Sequence, residues 1–139
     1  MKEILKKLRI IKTKVILDTN FLMIPGTLGI DIFTEIKRIV QEPVDICVLD
    51  QTIQELEKLM TKNKGKESFN AKLGYIMVKQ KSLKTIKGSL SYVDDSIVDY
   101  IKRYPTTIVA TQDKLLKAKV KQQKARVIYL KQKKYLELG

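Results

Sequence analysis

The chain predicts an α/β fold, a doubly wound parallel sheet with helices on both faces in three layers. Three observations carry that expectation. Apolar, β-branched runs at Val15–Leu17, Val44–Leu49 and Ile108–Ala110 are bounded by polar residues and read as buried strands. Between them apolar residues recur at helical spacing, and such alternation of strand and helix implies right-handed crossovers and a parallel sheet. The third observation concerns the strand ends: Val15-Ile16-Leu17 runs into Asp18, and Ile108-Val109-Ala110 into Thr111-Gln112-Asp113. Open parallel sheets bind ligands outside the carboxyl ends of their strands. Two neighbouring strands of this kind bring their carboxylates together.

Each element has its own signal. Val15–Asp18 is the first strand, and Pro25-Gly26 with Gly29 marks a loop after it. Ile32, Phe33, Ile36, Ile39 and Val40 fall on one helical face, and Pro43 stops that helix. Val44–Leu49 is the second strand. Thr52-Ile53-Gln54-Glu55 fits a capping box that opens a helix with Leu56, Leu59 and Met60 apolar. Thr61–Lys66 reads as a polar, glycine-containing loop, and Ser68–Gln80 as a weaker helix. The connector Ser82–Ser91 has room for a short strand at Leu83–Ile86. Asp94 or Asp95 caps a helix through Ile97, Val98 and Ile101, which ends before Pro105. Thr107–Thr111 is a strand, Asp113–Gln123 a helix and Arg126–Leu130 a final strand, with Lys131–Gly139 as a tail.

At 139 residues the chain is expected to form one domain over 1–139. A chain of this size buries roughly two-thirds of its unfolded surface. No apolar run approaches the ~20 residues of a membrane span. The basic segment Met1–Lys14 lacks the apolar centre and cleavage site of a signal peptide. The single cysteine, Cys47, excludes an internal disulfide and any multi-cysteine zinc site, and its apolar neighbours make it a core residue. These features together predict a cytoplasmic protein with no membrane partner.

There are 28 Lys and Arg against 15 Asp and Glu, a net charge of +13. Six of the bases lie in Met1–Lys14, nine in Lys58–Lys87 and nine in Lys114–Lys134, and the last stretch holds no acid. Clustering of this kind is the footprint of a polyanionic partner, and it points to nucleic acid. The chain has no histidine. That removes the usual general base of Ser-His-Asp and Cys-His hydrolases, the zinc metalloproteases and the zinc deaminases. Metal held by carboxylates is then the main route left to phosphodiester cleavage.

The acids have bland readings singly. Asp18 could form an Asx turn, Asp113 is a good N-cap, Asp94 or Asp95 could cap the helix after it, and Glu55 completes the capping box. Asp31, Asp50 and Asp99 are expected at turns or on the surface. Jointly, Asp18, Glu55, Asp94 or Asp95, and Asp113 fall at one edge of a doubly wound sheet. Crowded carboxylates repel, and a hard divalent cation, Mg²⁺ or Mn²⁺, relieves the repulsion. Such an ion activates water for phosphoryl transfer. Thr19 and Asn20 add groups that can orient Asp18. Tyr75, Tyr92, Tyr100 and Tyr104 could stack bases, although packing suits most of them better.

The series Asp18-Thr19-Asn20, Glu55-Leu56, Asp94-Asp95-Ser96-Ile97 and Thr111-Gln112-Asp113 resembles the PIN domain over roughly Lys14 to Leu130. Leu17–Phe33 is similar to archaeal stand-alone PIN proteins that resemble the nuclease of the eukaryotic small-subunit processome. The resemblance implies a doubly wound, metal-dependent endoribonuclease acting in rRNA processing. Asp18, Glu55, Asp94 and Asp113 would be catalytic, with Mg²⁺ or Mn²⁺ as cofactor, and Asn20 and Thr111 would support them. Asp94 with Ile97 fits the family spacing for the third acid, and Asp95 is open to the same metal-binding role. Lys58, Lys62, Lys64, Lys66, Lys114 and Lys117 would carry the RNA phosphates. The family often dimerises, so a homodimer is a further expectation. Two other readings stay open: a VapC-type toxin ribonuclease with an antitoxin partner, and a non-catalytic RNA-binding module for ribosome assembly.

Overall fold

The computed structural model describes residues 12–62 and 64–139; most of the basic stretch Met1–Lys14 lies outside them. Among these described residues six strands, β1 (Thr13–Leu17), β2 (Val44–Leu49), β3 (Lys84–Ile86), β4 (Ile108–Ala110), β5 (Val127–Lys131) and β6 (Tyr135–Leu138), form one sheet in the order β3-β2-β1-β4-β5-β6. The first five are parallel, and β6 returns antiparallel to β5. Among the described residues six α-helices connect them: α1 (Ile24–Leu28), α2 (Ile32–Val40), α3 (Asp50–Lys62), α4 (Lys66–Gln80), α5 (Val93–Arg103) and α6 (Lys114–Gln122).

The alternation of side chains along the strands builds two cores. Val15 and Leu17 of β1, with Ile108 and Ala110 of β4, pack under Ile32 and Ile36 of α2, Leu56 of α3 and Val78 of α4. Ile16, Cys47, Leu49 and Val109 face the other way, onto Ile97 and Ile101 of α5 and Leu116 and Val120 of α6. The fold is therefore the three-layer, doubly wound sandwich that the strand–helix alternation predicts. Cys47 is fully buried, and burial pushes its thiol up to about 11, so it is an inert core residue.

The strand order reverses between β1 and β4, because the chain winds from β1 through β2 to β3 and then crosses back to β4. This is the switch point at which open α/β sheets form a crevice. The register pairs Leu17 with Ala110, and the Asp18 N–H continues the ladder to the Ala110 carbonyl at 3.0 Å. Asp18 and Thr111 therefore emerge side by side.

Four local expectations are corrected. Pro25-Gly26 does not open a loop: a 3-10 turn at Phe21–Met23 leads into α1, which tolerates Pro25 in its first turn, where an N–H has no helical partner anyway. The capping box at Thr52–Glu55 does not form. The helix begins two residues earlier, and Asp50 Oδ1 accepts from the N–H groups of Gln51 (2.8 Å) and Gly88 (2.9 Å), leaving Thr52 buried inside the first turns. Neither Asp94 nor Asp95 caps α5, since Tyr92 holds the cap position and both acids lie in the first turn. The strand at Arg126–Leu130 is not the final one, because residues 135–138 of the tail form β6.

α4 sits close against the turn after β1. Gly74 makes this possible: a Cβ there would lie 2.7 Å from the Leu22 carbonyl oxygen. No helix among the described residues is long and apolar enough to cross a membrane.

Candidate active site

Asp18 leaves β1 as a buried residue, 5% exposed. Its Oδ1 accepts from the Thr19 N–H at 2.7 Å, and its Oδ2 accepts from the Thr111 hydroxyl at 2.9 Å. The Thr111 oxygen in turn accepts from the Asp113 N–H at 3.0 Å. One buried threonine thus links the ends of β1 and β4. The Thr19 hydroxyl donates to Glu55 Oε1 at 3.0 Å, which brings the second turn of α3 to the same place. Asp113 caps α6, as its Oδ1 accepts from the Leu116 N–H at 3.0 Å, so its bland reading and its place beside the site both hold.

The electrostatics define a shared site. Burial pushes Asp18 from its ordinary value of 3.8 up to about 6; the bonds from Thr111 and Thr19 pull it down, and the charges of Asp94 and Glu55 push it up again. Asp94 is also raised, first by burial and then by Asp113, while the Lys119 ammonium opposes the rise and Asp95 adds to it. A line of mutually felt acids therefore runs from Glu55 through Asp18 and Asp94 to Asp113. Asp94 is half-buried and Asp95 is exposed, which separates the doublet into an inward and an outward member.

Among the described residues, no three acid, cysteine or histidine side chains stand close enough to enclose a metal ion. The donor set still suits one. Mg²⁺ is commonly bound through only one or two carboxylates and keeps several waters, and every donor here is a hard oxygen. Asp18 with Asp94 meets that requirement, and its raised affinity for a proton is what a nearby cation would replace.

A cleft of about 610 Å³ opens beside these acids, lined by Gln51, Gln54, Glu55, Lys58, Tyr92, Asp94, Asp95 and Lys119 among others. Of the basic residues expected to face nucleic acid, Lys58 alone lines it. Lys62, Lys64 and Lys66 are exposed around the α3–α4 connection. Lys62 is seven residues past Glu55, about 10 Å along the helix. Lys114 is exposed on the first turn of α6, and the Lys117 ammonium sits 3.5 Å from the Tyr129 ring centroid. Asn20 is exposed and makes no hydrogen bond to Asp18. Lys119 is a site residue that sequence reasoning missed. Its only signal is its position, three residues after the buried Leu116, on the side of α6 that turns toward α5. Tyr100 is buried and Tyr75 half-buried, so packing accounts for them, while Tyr104 is exposed with one face packed on Tyr100 at 4.7 Å between ring centroids.

This geometry is that of a PIN-like domain: residues 15–133 match the family's model, and the chain belongs to that family. It is similar to Ribonuclease VapC4 of Methanocaldococcus jannaschii, at 35% identity over 127 residues that cover 90% of this chain and 95% of the relative. Its fold is that of the PIN domain endonuclease Utp24, with a TM-score of 0.76 at 23% identity and 90% of each chain covered. A domain of a functionally unknown protein from Methanocaldococcus jannaschii is a more distant likeness, with a TM-score of 0.52 at 16% identity, covering 86% of this chain and 91% of that one.

Proposed function

We propose that this chain, as one domain, is a metal-dependent endoribonuclease that hydrolyses RNA phosphodiester bonds. The observation that carries the reading is Asp18: a carboxylate buried at the switch point of a protein of net charge +13, with Asp94 and Glu55 raising its pKa further. Asp18 and Asp94 would hold Mg²⁺ or Mn²⁺ through waters as well as their own oxygens, with Asp113, Glu55 and Asp95 near enough to add charge but not to close a shell. Such an ion supplies an activated water and offsets the charge of the phosphate under attack. Thr111 and Thr19 fix the Asp18 carboxylate. Lys58 and Lys119 receive the phosphates that flank the bond, and the outer lysines add long-range attraction. RNA as substrate is supported by the relative named a ribonuclease.

Two biological settings fit that chemistry. The motif resemblance favours rRNA processing. The identity of 35% to a VapC ribonuclease favours a VapC-type toxin with an antitoxin partner. Purification of the tagged chain from its own cells separates them: pre-ribosomal RNA would come down in the first setting, a small antitoxin in the second. The activity itself is tested by incubating end-labelled RNA with the protein in Mn²⁺, Mg²⁺ or EDTA, beside Asp18→Asn. Cleavage that needs metal and Asp18 is expected. Binding without cleavage, unchanged by Asp18→Asn, would leave a non-catalytic RNA-binding module.

A further inference from the structure

We propose that Tyr92 is a stacking platform for one unpaired nucleobase of the RNA, set on the rim of the carboxylate cleft. The inference rests on the ribonuclease reading and adds to it a residue that selects for an unstacked base beside the scissile phosphate.

Four observations support it. Tyr92 is 73% exposed, the most exposed of the large hydrophobic side chains among the described residues, yet it lines the cleft rather than standing on open surface. It lies two residues before Asp94, so its ring and a carboxylate of the site are carried by one short stretch of chain. That stretch is held firmly. The Gly88 N–H donates to Asp50 at 2.9 Å, the Ser89 hydroxyl to Asp99 at 2.7 Å and the Gln51 amide to the Leu90 carbonyl at 2.7 Å. The Leu90 N–H donates to the Ser96 hydroxyl at 3.0 Å, and that hydroxyl donates back to the Leu90 carbonyl at 3.1 Å. A ring on so fixed a support loses little freedom when a flat partner lands on it. Finally, Lys58 and Lys119 line the same cleft.

Exposed aromatic rings between cations are the arrangement with which proteins hold single strands, the ring for the base and the cations for the backbone. A protein partner is the poorer fit. Aromatic anchors of protein interfaces sit among apolar neighbours that exclude water. Around Tyr92 the cleft is lined by Asp94, Asp95, Lys58, Lys119 and glutamines, with Val93 as the single apolar neighbour among its described lining residues.

The test uses the full chain carrying Asp18→Asn, so that RNA is bound without being cut, and a short single-stranded RNA with the fluorescent base 2-aminopurine placed at each position in turn. One position is expected to be quenched on binding. Tyr92→Ala should abolish that quench and weaken binding about tenfold, whereas Tyr92→Phe should keep both. An abasic site at that one position should make Tyr92→Ala and the parent bind alike. In the otherwise wild-type enzyme, Tyr92→Ala should raise KM with little change in kcat. Unchanged binding and quenching in Tyr92→Ala, with metal-dependent cleavage intact, would overturn this inference alone. Failure of the parent to bind or cut any RNA would overturn the ribonuclease reading with it. Loss of binding to a protein partner, with RNA binding unaffected, would make Tyr92 a protein contact and overturn the proposal.

Discussion

The Thr111 hydroxyl donates to Asp18 Oδ2 at 2.9 Å across 93 residues of chain, while the same oxygen receives the Asp113 N–H at 3.0 Å. One side chain therefore helps orient the central acid and holds down the proton affinity that burial raises. Thr111→Val keeps the shape and removes both bonds. Because the bond from Thr111 lowers the Asp18 pKa, its loss raises it further, and a hydrogen bond to a charged group is worth about 1.5–3 kcal/mol. The acid limb of the pH–rate profile should move about one unit or more toward alkali, with a fall in kcat/KM at neutral pH. Profiles of the two proteins that superimpose would show that Thr111 does not tune Asp18.

Asp18 also sets a pH dependence of stability in the metal-free protein. Its pKa is raised from 3.8 to about 6 on folding, so the native state holds the proton more tightly than the unfolded chain. The stability this brings is complete below the unfolded value and is lost as pH rises through 6. With Asp18 ionised, folding is then about 3 kcal/mol less favourable than with it protonated. Asp18→Asn should therefore be more stable than the parent in EDTA near neutral pH, by about 1–3 kcal/mol, and the advantage should vanish near pH 4. Urea unfolding at several pH values measures this, and an advantage independent of pH would contradict it.

Gly74 lets α4 approach the turn after Asp18, and a Cβ there would meet the Leu22 carbonyl at 2.7 Å. Backbone cannot swing aside as a side chain can. Gly74→Ala should destabilise the protein by about 1–3 kcal/mol in spite of the better helix propensity of alanine. It should also weaken Mn²⁺ binding, because the displaced turn starts at the carboxylate. Thermal unfolding and metal titration check the two effects, and a stabilised variant would mean that α4 shifts freely.

Lys119 opposes the raised pKa of Asp94 and lines the cleft with Lys58. Replacing either by alanine should weaken RNA binding and lower the slope of log affinity against log salt by about 0.7–1. Replacing Lys62 or Lys64, which do not line the cleft, should have the smaller effect. Equal losses at all four would assign binding to diffuse charge.

The sheet and its acids were legible because β-branched runs that end in Asp leave few other readings, and because parallel strands put their carboxyl ends at one edge. The helix starts were less so. Thr52-Ile53-Gln54-Glu55 has capping-box spacing, but the helix starts at Asp50, whose carboxylate is held by the N–H of distant Gly88, a tie that no local pattern reveals. β6 was hidden by its turn. Gln132 and Lys133 carry the positive φ angles there, at 55° and 54°, where Gly or Asn would have announced a hairpin. Lys119 was lost in a run of similar lysines, since only the packing of α6 beside α5 distinguishes it.

The hidden strand also bears on how copies of this chain could meet. An unprotected sheet edge invites a neighbour to add its own strand. Here the outward N–H of Leu136 in β6 donates to the Glu35 side chain at 3.3 Å. At the opposite margin β3 is three residues long and begins with Lys84, whose ammonium is engaged by Asp45 at 2.9 Å. Both flanks are thus poor templates for cross-chain ladders. Crowding the protein should therefore leave it dispersed instead of seeding fibrils.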